Sequence, residues 1–190
     1  VRITGVTGDH SVENRYGGTT VRSITGSVRI DDGYGPIVTE DISGDVGVIN
    51  KYGSVTVNGV GGLAEVENKY GTIHISDVDG DAIINNKYSL VSVENVRGTV
   101  RIEGKNNSVD LEDVTGLVEI ETSYKDIVVR NSSGAIELAN RHGDIRLSFD
   151  APPQQDISLT GDYTDIRLEL PSTSNFSIDA QTRSGSFESD

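Results

Sequence analysis

The 190-residue chain contains no cysteine, no methionine and no tryptophan. Without cysteine there is no disulfide and no thiolate metal site. Aromatic residues make up 5% of the chain, with only three phenylalanines, so a core built on large rings is excluded. Basic residues are scarce as well: 16 Lys and Arg stand against 30 Asp and Glu, for a net charge of −14. That balance disfavours nucleic acid, whose phosphates need a basic face, and adsorption to anionic lipid. No apolar run is long enough to cross a membrane as a helix, and no signal-peptide pattern is present. The chain begins at Val1 instead of Met, as expected of a processed or truncated chain.

What is abundant is glycine, and it is periodic. Gly8, Gly26, Gly44, Gly62, Gly80, Gly98, Gly116 and Gly134 stand 18 residues apart. A second marker keeps the same step: Tyr16, Tyr34, Tyr52, Tyr70 and Tyr88, then Asn106, Tyr124 and His142. A fixed period of this size marks stacked, near-identical units. Each unit, numbered from its glycine, reads G-x-V-x-V-x-N-K-Y-G-x-V-x-V-x-x-V-x. Eighteen residues also equal five helical turns, so the pattern within the unit decides. Apolar residues alternate with a period of two and are mostly β-branched, which favours strands. Each unit therefore holds two short strands, near positions 2–6 and 11–15. Five columns, at positions 3, 5, 12, 14 and 17, face inward.

The constant register separates a solenoid from a hairpin meander. Coils of equal length stack each residue on its counterpart one coil away, and an insertion would break every column. The expectation is an all-β, single-domain parallel β-helix, taken as right-handed, spanning residues 1–190. Its coils are regular over 1–151. Residues 152–190 form irregular, broader terminal coils, because Asp150–Asp156 adds three residues and Tyr163 follows His142 by 21. Strands resume at Ile157, Leu159, Ile166, Leu168 and Leu170, and again around Phe176, Ile178 and Phe187. Small aliphatic columns leave no interior cavity of ligand size.

Three outer or corner columns are candidates for function. Position 7 carries Asn14, Asn50, Asn68, Asn86 and Asn140, with Asp32 in the same column. These read as an asparagine ladder that satisfies turn backbone, or as a row of ligand-binding amides. Position 9 carries Tyr16, Tyr34, Tyr52, Tyr70, Tyr88 and Tyr124, a corner stack or an exposed strip for glycans. Four of these tyrosines precede glycine, which suits a bend with positive φ. Position 8 carries Lys51, Lys69, Lys87 and Lys105 with Arg15 and Arg141, and position 6 is often acidic. These rows read as solvated and mutually offsetting, or as a basic stripe for an anionic polymer. The expected site list holds no catalytic, cofactor or metal residue. Asp residues do not recur at the spacing of a calcium roll, His10, His74 and His142 fall in different columns, and no nucleophile motif is present.

The coils Gly44–Val57 and Gly62–Ile75, reading GDVGVINKYGSVTV and GLAEVENKYGTIHI, resemble the bacterial adhesin-type family of β-solenoid domains. The tail Asn175–Asp190 is similar to that family's closing coils. The resemblance implies an exported bacterial protein of the cell envelope or extracellular space with no known enzymatic activity, and it assigns no binding residues. The expected function is a non-enzymatic, adhesin-like or scaffold module. Its partner would be a cell-surface or glycan ligand, or another copy of itself, because no capping helix is present and uncapped β-helix ends can stack into filaments. A polysaccharide-active β-helix is a distant alternative.

Overall fold

The structure is a computed structural model that describes residues 1–175 together with 177, 179 and 181. The strands expected around Phe176, Ile178 and Phe187, and the end of the closing coil up to Asp190, lie outside the described residues.

 

Among the described residues the secondary structure is entirely β, in seventeen strands. A typical coil contributes two of them, such as Val28–Tyr34 and Ile37–Ile42. Every strand pairs in parallel with its counterpart one coil away. Val28 pairs with Val46, Val46 with Ala64, Ala64 with Ala82, and Ala82 with Val100, each step being 18 residues. The step lengthens to 21 where Ile136 pairs with Ile157 and Ile145 with Ile166, so the extra residues loop out and the columns resume. The fold is a β-solenoid of about nine turns. The corners are bonded too: Gly35 N donates to Tyr52 O at 2.9 Å and Gly62 N to Gly44 O at 3.1 Å.

The core follows from the alternation. Positions 3, 5, 12, 14 and 17 are filled mostly by Val, Ile, Leu and Ala, nearly all fully buried, with Thr19, Thr39 and Ser132 as buried polar members, and the largest of these side chains are Ile and Leu. Each fully buried aliphatic contributes about 1.5–3 kcal/mol relative to exposure. The structure adds a sixth inward column. Position 7 is buried as well: Asp32, Asn50, Asn68, Asn86, Thr122 and Asn140 are each less than 5% exposed. The first strand keeps its pleat for one more pair of residues than the apolar pattern shows, so a polar side chain points inward at the corner.

Two backbone constraints explain the glycines and their companions. A Cβ on Gly80 would stand 2.5 Å from the Gly62 carbonyl oxygen, and one on Gly116 would run into the Gly98 carbonyl. From Gly26 to Gly134 the opening glycine is thus required by close approach to the preceding coil, whereas Gly8, with no coil before it at this turn, has open space beside it. Position 16 is different, because there the backbone is left-handed in coil after coil. It is occupied by Gly5, Ser23, Asp41, Gly59, Asp77, Asn95, Asp113 and Asn131, with φ between 51° and 68°. Gly, Asp and Asn tolerate this conformation best. The bend lets position 17 point inward directly after two outward residues.

Ser23 is the one residue in that column outside the favoured set, and its side chain is exposed. Ser23→Gly should therefore raise stability by up to about 1 kcal/mol, and Asp113→Val should lower it by about 1–2 kcal/mol. Urea-unfolding midpoints check both; equal midpoints for Ser23→Gly, Asp113→Val and the parent would show that the bend imposes no such constraint.

Candidate functional site

The corner at positions 7–10 gathers all three candidate columns. Its geometry begins with the buried amides. Asn68 Nδ2 donates to the carbonyl of Gly71 in its own coil at 3.3 Å and to that of Gly53 in the preceding coil at 3.0 Å. Its Oδ1 accepts from Lys69 N at 2.9 Å. Asn50 repeats the arrangement with Gly35, Gly53 and Lys51 N, and Asn140 donates to Lys125 O and Gly143 O. Asn86 donates to Gly71 O and Tyr88 O. Asn14 donates to Gly17 O and to the carboxylate of Asp32, which also accepts from Thr19 Oγ1. The link between coils therefore runs from amide to carbonyl, not from amide to amide. In Asn50 and Asn68 the amide nitrogen bonds two carbonyls and the oxygen a backbone N–H, while the Oδ1 atoms of Asn86 and Asn140 are buried without a partner. The shared amide-to-carbonyl bonds make these side chains staples for the turn.

Two coils lack a side chain at position 7, and there the structure recruits a residue three places later. Gly104 occupies the column, and Asn107 turns inward, fully buried, to donate to Asn86 O at 2.5 Å. Gly161 occupies it in a later coil, and Thr164 Oγ1 reaches Asn140 O at 3.3 Å. A Cβ on Gly104 would overlap the Asn107 amide, and one on Gly161 would stand 2.7 Å from Thr164 Cβ. Asn107 and Thr164 are members of the ladder that column-by-column reading misses. Their signal is the pairing of Gly at position 7 with a polar residue at position 10.

The tyrosines stack. Ring centroids of Tyr16, Tyr34, Tyr52, Tyr70 and Tyr88 follow one another at 5.0–5.4 Å, with interplanar angles of 5–13°. A second stack joins Tyr124, His142 and Tyr163 at 5.3 and 5.0 Å. Asn106 separates the two. Within the first stack each inner ring gives its faces to its neighbours and shows an edge to solvent: Tyr52 is 38% exposed, whereas the terminal Tyr16 is 71% exposed. The glycines after the first four tyrosines have φ between 89° and 146°. In the second stack Tyr124, His142 and Tyr163 themselves take positive φ.

Beside the rings runs the basic row. Lys51 Nζ lies 5.8 Å from the Tyr52 ring centroid and Lys69 Nζ 5.3 Å from that of Tyr70, within cation–π range. Lys51, Lys87 and Lys105 are exposed and Lys69 is half-buried. The ion pairs use arginine and lie mostly elsewhere, the exception in this row being Arg141, which meets Asp162 at 3.7 Å. Arg22 meets Glu40 at 2.9 Å, Arg97 meets Asp79 at 2.6 Å, and Arg101 meets Glu119 at 2.7 Å, each pairing with an adjacent coil. The Arg101 guanidinium is held more firmly protonated than usual by its hydrogen bond to Glu119 and the charge of that carboxylate. Among the described residues no lysine nitrogen lies within 4.0 Å of a carboxylate oxygen.

Concavities are shallow. One open hollow of about 420 Å³ lies where Gly47 leaves the outward position-4 row without a side chain between Arg29 and Glu65. A second, of about 530 Å³, continues along the same face past Ile83 to Arg101. Among the described residues no group of three His, Asp or Glu side chains is placed to hold a metal ion.

These observations define a β-solenoid of short uniform coils whose polar and aromatic columns converge on one corner. The chain matches the family model described as Toastrack DUF4097 over residues 8–190 and belongs to that family, whose domains are of unknown function. No curated protein and no solved structure matches it.

The exchange of Gly104 and Asn107 can be tested directly. Gly104→Asn should lower stability by about 1–3 kcal/mol through overpacking. Asn107→Gly should cost about 1–3 kcal/mol by leaving the Asn86 carbonyl unpaired. Combined, the two changes restore the Asn-Lys-x-Gly corner of neighbouring coils, so the double variant should be more stable than either single one. Losses that simply add in urea titrations would show that the two positions do not substitute for each other.

Proposed function

We propose that this domain is a non-enzymatic solenoid of the bacterial cell surface or envelope, an adhesin-like or scaffold module that makes its contacts through the outer corner. The observation that carries the reading is the continuous exposed edge formed by Tyr16, Tyr34, Tyr52, Tyr70 and Tyr88 with the lysine row beside it. A row of this kind supplies repeated, weak, equally spaced contacts, which sum by multivalency on a repetitive partner. The buried Asn ladder and the Arg pairs serve the coils themselves, which leaves the Tyr and Lys columns as the side chains free for an outside partner. The envelope setting rests on the resemblance of the coils Gly44–Val57 and Gly62–Ile75 to bacterial adhesin-type solenoids.

Co-sedimentation with isolated bacterial cell envelopes tests the reading. The parent domain should pellet with the envelopes, and Tyr52→Ala with Tyr70→Ala should weaken capture several-fold while circular dichroism stays β-rich. Capture unchanged by these substitutions would remove the corner as the contact surface. No capture, combined with concentration-dependent polymers in sedimentation velocity, would favour the alternative in which copies stack end to end. Release of reducing sugar from any polysaccharide would overturn the non-enzymatic assignment.

A further inference from the structure

We infer that the corner binds a linear acidic polysaccharide, a chain carrying one carboxylate per sugar, laid parallel to the solenoid axis along Lys51, Lys69, Lys87 and Lys105. The inference rests on the surface-contact reading above and adds the chemical class of the partner.

The first support is how the charges are distributed. The chain has five lysines, and all lie on this corner: four at position 8 and Lys125 at position 10. They sit in a protein of net charge −14, yet none is within ion-pair distance of a described carboxylate. Most arginines on other faces are paired, as at Arg22, Arg97 and Arg130, with Arg2 and Arg29 the exceptions among the described residues. Like charges stacked at rung spacing repel one another, so an unneutralised row is a cost that an anionic partner removes. Across the four coils that carry the lysines, position 6 offers only Glu67 and Glu103 against them, because Ile49 and Asn85 hold the other two places. On the far side of the rings, Ser54, Thr72, Leu90 and Ser108 are uncharged.

The second support is the state of the rings. A neutral sugar is gripped by laying its apolar face on an aromatic face. Here the inner ring faces are already used by stacking at 5.0–5.1 Å from Tyr34 to Tyr88. Edges and hydroxyls remain, and a tyrosine hydroxyl can donate a hydrogen bond. The corner thus offers one ammonium per rung over four rungs and one phenol per rung over the first three. It lacks the open ring faces that a neutral glycan would need.

The third support is spacing. Rungs are about 4.8 Å apart. A 1,4-linked sugar advances by close to one rung. Successive carboxylates pointing the same way meet a lysine at every rung, and alternating ones meet a lysine at every second rung. Either arrangement fits, because the lysine column has no gap between Lys51 and Lys105.

Polygalacturonate is the probe, with dextran as its uncharged counterpart. Binding to the intact domain, followed by calorimetry, should be measurable with polygalacturonate, absent with dextran, and weaker as salt rises from 50 to about 500 mM. The triple variant Lys51→Gln, Lys69→Gln, Lys87→Gln should lose about tenfold or more, at about two- to fivefold per exposed charge pair. Replacing the same lysines by arginine should preserve binding. The variant Thr20→Glu, Thr56→Glu, Ser92→Glu changes net charge by the same amount on another face and should stay within about twofold of the parent. No binding of polygalacturonate, equal losses in the Gln and Glu variants, or tighter binding of single-stranded DNA would each overturn the inference. Envelope capture that persists without polygalacturonate binding would overturn this inference and leave the surface-contact reading standing. Polygalacturonate binding without envelope capture would do the reverse.

Discussion

Everything in this domain depends on the parallel backbone hydrogen bonding between coils held at a constant step. Because each residue pairs with the residue 18 places on, a choice made at one position is repeated on the neighbouring rung and must be compatible with itself. Valine and isoleucine stack on themselves well and fill the inner columns. Glycine at position 1 is the residue that lets the Gly62 and Gly80 backbones close up at their turn. Tyrosine stacks on tyrosine at 5.0–5.4 Å because the rung spacing brings parallel rings to about the separation favoured by offset aromatic pairs. Stability is spread over nearest-neighbour interfaces and is not concentrated in one centre.

The same self-compatibility explains where charge is placed. A column of one sign would repel along its whole length. The position-4 column offsets part of this with Arg101 facing Glu119, and position 15 does so with Arg22 facing Glu40, although like charges also meet once in each column, at Glu119 and Glu137 and at Glu94 and Glu112. Position 8 does not alternate between Lys51 and Lys105. Two of its members turn toward the neighbouring rings, a partial compensation worth about 0.5–1 kcal/mol at an exposed site. This run of one sign over four successive rungs lies at the corner where the aromatic edges are also exposed.

The fold was legible because period, alternation and β-branching all point the same way, and a constant 18-residue step leaves little room for another topology. The inward turn of position 7 was not, because Asn is read as a surface residue and the side chain is polar. Only the paired carbonyls of Gly53 and Gly71 show why it is buried. The left-handed bend at position 16 was hidden for a related reason. Ser23, Asp41, Gly59 and Asn95 share a backbone conformation but no side-chain chemistry, so the column looks variable. The two separate ring stacks were half legible: the column was visible, while the break at Asn106 was hidden by treating that residue as one more member.

The Asn106 coil shows how such a break is tolerated. That coil replaces Asn at position 7 by Gly104 and Tyr at position 9 by Asn106, and it keeps one unbroken strand, Val100–Val114, through the corner where most coils interrupt theirs. The Asn107 amide then links the coils by donating to the Asn86 carbonyl at position 7, where the regular ladder amides donate to the position-10 carbonyl of the preceding coil. Side-chain identity at the corner is therefore exchangeable, provided that some inward donor reaches a corner carbonyl of the preceding coil. The backbone carbonyl sets the requirement, and the ladder residue is whichever side chain can reach it. That ordering also separates the corner's two roles. Inward positions answer to the stack and are replaced only by functional equivalents such as Asn107 or Thr164. Lys51, Lys69, Lys87 and Lys105 make no ion pair with a described carboxylate, and Lys51 and Lys69 lean on the neighbouring rings, so this row is bound to the stack more loosely than the inward columns are.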